Sequence, residues 1–156
     1  MQKPKIFITG GTGYIGKSVI NKLLENDFEV TALIRNTSKN NLSEKCKTVY
    51  GDALDSRTYQ DKILPNDTFI HLVGVSHPGP QKYKEFRSID LVSIEQAIKA
   101  SEHSGIKNFI YLSVANPAPI MKEYIKIRLK GEELLSASDM NCSIIRPWYV
   151  IGPGHY

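Results

Sequence analysis

The chain has 156 residues, 41% of them hydrophobic, which is enough for one domain (1–156) with a core of its own. Its 20 basic and 16 acidic residues leave a net charge of +4 with no run of five or more like charges. This argues against a nucleic-acid-binding arm and for a solvated surface with a mild pull on anions. No apolar stretch approaches the ~20 residues of a membrane span, "MQKPKIFITGG" lacks the form of a signal peptide, and Cys46 and Cys142 have neither metal-ligand nor Cys-x-x-Cys spacing, so a soluble, cytoplasmic protein is expected.

In chain order, "KIFIT" (5–9) reads as a buried strand and "YIGKSVINKLLEN" (14–26) as a helix with Ile15, Val19, Leu23 and Leu24 near one face. "EVTALI" (29–34) is a second strand. The polar stretch 36–45 is a loop with a short helix, "KTVY" (47–50) a third strand, and 56–64 a short helix stopped by Pro65. "TFIHLVG" (68–74) is a fourth strand, and "HPGP" (77–80) is a loop. A long helix from Tyr83 to Ser104 follows, closed by Gly105 as a left-handed cap. The fifth strand is 108–113. After the loop "NPAP" (116–119), a helix runs from Met121 to Ser138, and the sixth strand is 142–147, ahead of the tail "IGPGHY". Continuously apolar strands are buried on both faces, as in parallel sheets. Their alternation with helices predicts an α/β fold: a doubly wound, mostly parallel sheet of about six strands built from βαβ units.

Four glycines fall at the join of the first strand and the first helix, three between them and Gly16 in the first helical turn. Gly11, Gly13 and Gly16 form G-x-G-x-x-G; with Gly10 the same stretch reads T-G-x-x-G-x-x-G. Either reading asks for a sharp turn, close approach of backbone to a pyrophosphate, and tight packing of helix on strand. The phosphate would sit at the helix N-terminus, where free amides and the dipole favour an anion. About 20 residues on, an acidic residue would take the ribose hydroxyls of NAD. This chain has Arg35 there, which suits a 2′-phosphate and can stack on adenine. The expected cofactor is therefore NADP, with NAD as the alternative; a plain surface arginine is the other reading of Arg35.

With these residues in view, the sequence resembles the atypical short-chain dehydrogenase/reductase proteins, with their NAD-dependent epimerase-like and NmrA-like branches and their Rossmann fold. "TGGTGYIG" matches their cofactor motif, which puts Gly10, Thr12, Gly13, Tyr14, Ile15 and Gly16 on the cofactor. "YGDALD" (50–55) is similar to the G-D-x-x-D whose aspartate contacts adenine, here Asp52 with Ala53 beside it. "HLVG" (71–74) resembles the segment that lines the cofactor through Leu72, Val73 and Gly74. "IIRPWYVIGPG" (144–154) resembles R-P-x-x-V-x-G-P-G and brings in Pro147.

The resemblance also implies a catalytic Tyr-x-x-x-Lys, whose two residues share a helix face and whose cation lowers the phenol pKa. The matching stretch is "YIKIR", with Tyr124 as acid or base and Arg128 in place of the lysine. Arginine keeps the charge but not the compact ammonium. The family's hydroxyl past the fifth strand corresponds to Ser113, or the position falls on Val114. Tyr124 can equally be a packing aromatic and Arg128 a ribose, phosphate or surface residue.

Among the other polar residues, His71 reads as a core or cofactor-edge residue. His77 reads as a loop residue beside the cofactor mouth, and His103 as a helix-end residue. Trp148 and Tyr149 line a pocket or cover the sheet edge, and no metal site is expected. Two functions follow. One is an NADP-dependent oxidoreductase or epimerase-like enzyme acting on a small carbonyl or sugar-like substrate. The other is a binding protein that holds NADP without turnover, as a sensor or a cofactor domain alone. Family members continue beyond "GPGHY" with a part that closes over the substrate, so exposed aromatics there make a homo-oligomer a further expectation. Neither nucleic acid nor membrane is an expected partner.

Overall fold

The computed structural model describes residues 3–37, 40–76, 78–117, 119 and 121–152. Six strands form one parallel sheet: β1 Lys5–Thr9, β2 Glu29–Ile34, β3 Lys47–Tyr50, β4 Asp67–His71, β5 Asn108–Leu112 and β6 Asn141–Ile145. Their order is β3-β2-β1-β4-β5-β6. This is the doubly wound Rossmann arrangement: the chain moves outward from β1 to β3, then returns to pair β4 with the other side of β1. The connections at the C-terminal ends of β1 and β4 therefore part in opposite directions and leave a crevice between them.

Register explains the two faces. Phe7 lies opposite Phe69, and Phe69 opposite Phe109, so one face carries a ladder of phenylalanines with centroids 5.5 and 4.9 Å apart. Two residues on, the same face carries Thr9, His71 and Tyr111, a polar row at the crevice end. The opposite face presents Ile6, Ile8, Val30, Ala32 and Ile70 to Ile20 of helix α1 (Tyr14–Glu25). The phenylalanine face is covered by Ile94, Ala97 and Ile98 of α3 (Val92–His103) and Leu135 of α4 (Lys122–Ser136). Burial of such side chains stabilises the fold by about 1.5–3 kcal/mol each.

Several boundaries differ from the sequence reading. β4 stops at His71 rather than residue 74: after a last bond from the Leu72 amide to Thr9 O at 3.0 Å, the chain leaves β1 and Leu72–Gly74 line the crevice. β6 covers 141–145 rather than 142–147, although Pro147 O still accepts from the Ala115 amide at 3.0 Å. In place of a helix over 56–64 there are two 3-10 turns, Ser56–Thr58 and Gln60–Lys62, the first capped by Asp55. The described residues of 36–45 hold turns and no helix. The expected helix 83–104 is three consecutive pieces: α2 Tyr83–Glu85, a π-helical segment Phe86–Leu91, and α3. Gly105 closes it in the left-handed conformation (φ 71°), with the Ile106 amide reaching back to Ser101 O at 2.9 Å.

Candidate functional site

The crevice is a cavity of about 400 Å³. Its floor is the turn after β1. Gly10 has φ +78°, and a side chain there would meet the Leu72 backbone, so this position needs glycine twice over. A Cβ on Gly16 would run into Gly10 O and the Gly11 backbone, which lets α1 sit against the turn. Gly13 is different. It has an ordinary extended conformation, is exposed, and a Cβ would come no nearer than 3.3 Å to Gly10 O. As N-cap of α1 it supplies no capping side chain, and the first turn carries no acidic residue. The helix end thus faces the cavity with its dipole uncompensated, the arrangement that receives an anion.

Arg35, directly after β2, lines one flank and is exposed without a carboxylate partner among the described residues. Beside it, Asp52 Oδ1 accepts from the Leu54 amide at 2.9 Å, and the Asp52 amide donates to Thr58 Oγ1 at 2.8 Å, which fixes the loop after β3.

The other flank, Leu72–Ser76, is held from behind by buried charge. Arg128 Nη2 lies 2.8 Å from Asp90 Oδ1, with side chains 6% and 0% exposed. Arg128 Nη1 donates to Val73 O at 3.3 Å and Leu112 O at 3.1 Å, while the Val75 amide donates to Asp90 Oδ2 at 3.1 Å. A Cβ on Gly74 would strike Arg128 Nη2. Burial pushes the Asp90 carboxyl above its usual range, and Arg128 pulls it back only in part. The guanidinium also stands over the Tyr111 and Tyr124 rings, 5.8 and 5.3 Å from their centroids.

His71 is fully buried. Ser93 Oγ donates to Asp90 O at 3.0 Å, so it accepts from His71 Nε2–H at 3.2 Å, and Nδ1 then accepts from Thr9 Oγ1 at 2.8 Å. Burial, with the Arg128 charge adding to it, pushes its pKa down to about 3. His71 is thus a neutral core tie between β1, β4 and α3. Ser113, 4% exposed, donates to Glu132 Oε1 at 2.5 Å, and Arg146 grips the same carboxylate at 2.9 and 2.6 Å. Burial opposes the charge on Glu132, but the bonds from Arg146 and Ser113 outweigh it and hold the carboxyl below its usual range.

Of the cofactor residues expected from the sequence, Gly10, Thr12, Gly13, Arg35, Asp52, Ala53, Leu72, Val73 and Gly74 line the cavity together. Tyr14, Ile15, Gly16 and Pro147 do not, nor do Ser113, Tyr124 and Arg128. Tyr124 packs on Phe86, centroids 5.1 Å apart, within a small cluster that includes Val75 and Ile127. His77 lies outside the described residues. His103 ends α3 and meets Asp61 at 3.0 Å, and Trp148 and Tyr149 are exposed. Gly51 and Leu54 also line the cavity, and the motif around them signalled it. Lys82, Glu85 and Ile89 were missed. Lys82 ends a 3-10 turn, Glu85 ends α2 and Ile89 lies in the π-helical segment, so no single helical period in the sequence marks them. Among the described residues no cluster fits a metal, and no helix is long and apolar enough to cross a membrane.

The NAD(P)H-binding family model matches residues 10–152. The ceramide reductase of Caulobacter vibrioides is 23% identical over 151 residues, covering 96% of this chain and 47% of that protein. An NmrA-like family domain-containing protein of Dictyostelium discoideum is 27% identical over 168 aligned positions, covering 93% and 51%. The solved structure of the Bordetella bronchiseptica enzyme WbmH in complex with NAD+ superposes with a TM-score of 0.76 at 20% identity, covering 93% of this chain and 56% of that one. The chain spans about half the length of the relatives it matches.

Proposed function

Because the chain belongs to the NAD(P)H-binding family, we propose that its cleft takes the 2′-phosphorylated dinucleotide, NADP(H), and that the described residues form a binding site rather than a complete catalytic one. The observation that carries this reading is Arg35, a cation on the cleft wall just after β2 with no carboxylate partner among the described residues, where a carboxylate would favour NAD. The cradle fits such a ligand: Gly13 leaves room for close approach, and α1 offers an uncompensated N-terminus. Gly10, Thr12 and Gly13 would hold the pyrophosphate, Arg35 the 2′-phosphate, and Asp52 and Ala53 the adenine. When bound, the nicotinamide would supply a hydride donor or acceptor.

The chain's own residues favour binding over turnover. Ser113 spends its proton on Glu132, and Arg128 is taken up by Asp90 and two carbonyls, so neither faces the cleft. A second reading, an oxidoreductase on a small carbonyl or sugar-like substrate, draws on the Tyr124 ring standing 5.3 Å from the Arg128 guanidinium. It has Tyr124 as acid or base and Arg128 as its cation.

Titration with NADPH and NADH, followed by nicotinamide fluorescence, tests the first reading. NADPH should bind more tightly, and Arg35→Ala should abolish the preference. Equal affinities that survive Arg35→Ala would remove Arg35 from the site. Turnover that rises in Arg128→Lys and disappears in Tyr124→Phe would establish the second reading.

A further inference from the structure

We propose that Lys82 is a ligand-binding cation of the cleft, which exchanges the Ser76 carbonyl for a pyrophosphate oxygen of the bound dinucleotide. The proposal rests on the nucleotide-binding reading above and adds a residue to it.

Sheet order supplies the placement. β1, which ends in the glycine turn, lies between β2 and β4. Arg35 follows β2. Lys82 is fastened to the segment after β4 by a 2.6 Å bond from Nζ to Ser76 O. Both line the same cavity. Two cations therefore stand on either side of the glycine turn, across two strand spacings of about 4.8 Å each.

The chemistry of Lys82 fits exchange. Its partner is a neutral carbonyl, and an ammonium has three donors, so part of its hydrogen-bonding capacity is unspent. No carboxylate pairs with it among the described residues; Glu85 lines the cleft but forms no ion pair with it. Its backbone is fixed in a 3-10 turn that Pro80 begins and a 2.9 Å bond from the Lys82 amide to Gly79 O closes. Only the side chain needs to move. The glycine turn offers amides and about half a charge from the helix dipole, which leaves much of a pyrophosphate's charge to a mobile cation. Arg35, on the far flank, is placed for the 2′-phosphate instead.

Wild-type protein, Lys82→Met, Lys82→Arg and Arg35→Ala are titrated with NADPH, NADH and adenosine 2′-monophosphate, with circular dichroism as the check of folding. Lys82→Met should weaken both dinucleotides by the same factor, about tenfold, and leave adenosine 2′-monophosphate unchanged. Lys82→Arg should restore most of the loss. Arg35→Ala should weaken NADPH and the monophosphate but not NADH. Unchanged dinucleotide affinity in Lys82→Met overturns the proposal, and so does a loss confined to NADPH. Wild-type protein that binds neither dinucleotide overturns the underlying reading before any variant is compared.

Discussion

Asp90 and Arg128 meet inside the protein, Oδ1 to Nη2 at 2.8 Å, and between them they hold the backbone of Val73 and Val75. The wall of the cleft is thus positioned by a buried charge pair that is not itself among the residues lining the cleft. Arg128 occupies the place where a cleft-facing cation was expected, and its charge is directed inward instead.

Removing one member of this pair strands the other. Asp90→Ala should destabilise the fold by about 3–5 kcal/mol in chemical denaturation, because Arg128 stays charged in a dry site. Replacing both, as in Asp90→Leu with Arg128→Met, should recover most of that loss. A single Asp90→Ala that costs under about 1 kcal/mol would show that water reaches the pair.

Gly74→Ala should be destabilising by about 1–3 kcal/mol, since its Cβ would strike the guanidinium. In the Asp90→Leu, Arg128→Met background the same substitution should cost much less. Gly16→Ala should find no such relief, because its Cβ would meet backbone. A double-mutant cycle on melting or denaturation midpoints separates the two cases.

His71 gives stability a pH dependence. Its folded pKa is about 3, against about 6.5 unfolded, so the unfolded state binds the extra proton between these values. Stability is complete above about pH 6.5 and should fall by about 1.4 kcal/mol per unit below it. The raised Asp67 and Asp90 carboxyls act with the opposite sign at the acid end, so the comparison is with His71→Asn. The variant should lose the slope between pH 4 and 6; an unchanged slope would assign it to other groups.

Tyr124→Phe removes a hydroxyl that takes no hydrogen bond among the described residues, and keeps the ring against Phe86 and Arg128. Stability should change by less than about 0.5 kcal/mol, and dinucleotide affinity should stay within twofold. A marked loss of affinity would place the phenol on the ligand.

Most of the sheet was legible because its punctuation is local. β1 and β2 are apolar runs broken by glycine or a polar residue, and both were read to the residue. β4 was read too long for a physical reason. Leu72–Gly74 stay apolar because they line a cleft, and apolarity alone does not separate a strand from a cavity wall. The π-helical segment left no trace, since "FRSIDL" keeps helical periodicity. What the site residues do was the least legible. The motif offers Ser113 and Arg128 as candidates but not what they touch: their engagement by Glu132 and Asp90 comes from residues distant in sequence, brought near only by packing. Lys82 lies in a polar stretch where lysine is ordinary, and only the topology carries it to the cleft.

The π-helical segment Phe86–Leu91 amounts to one residue added to an otherwise α-helical run. α3 is fixed on the sheet by Ile94, Ala97 and Ile98, so everything N-terminal to the segment takes its orientation from that extra residue. Deleting one residue there, Ser88 for instance, would regularise the helix and rotate Lys82 and Glu85 by about 100° about its axis, off the cleft wall. A frame-preserving codon loss at this point would therefore leave the α3 face on the sheet, carry the buried Phe86 out of its packing with Tyr124 and redraw the binding surface, so that one short insertion couples the lining of the cleft to a small cluster of the core.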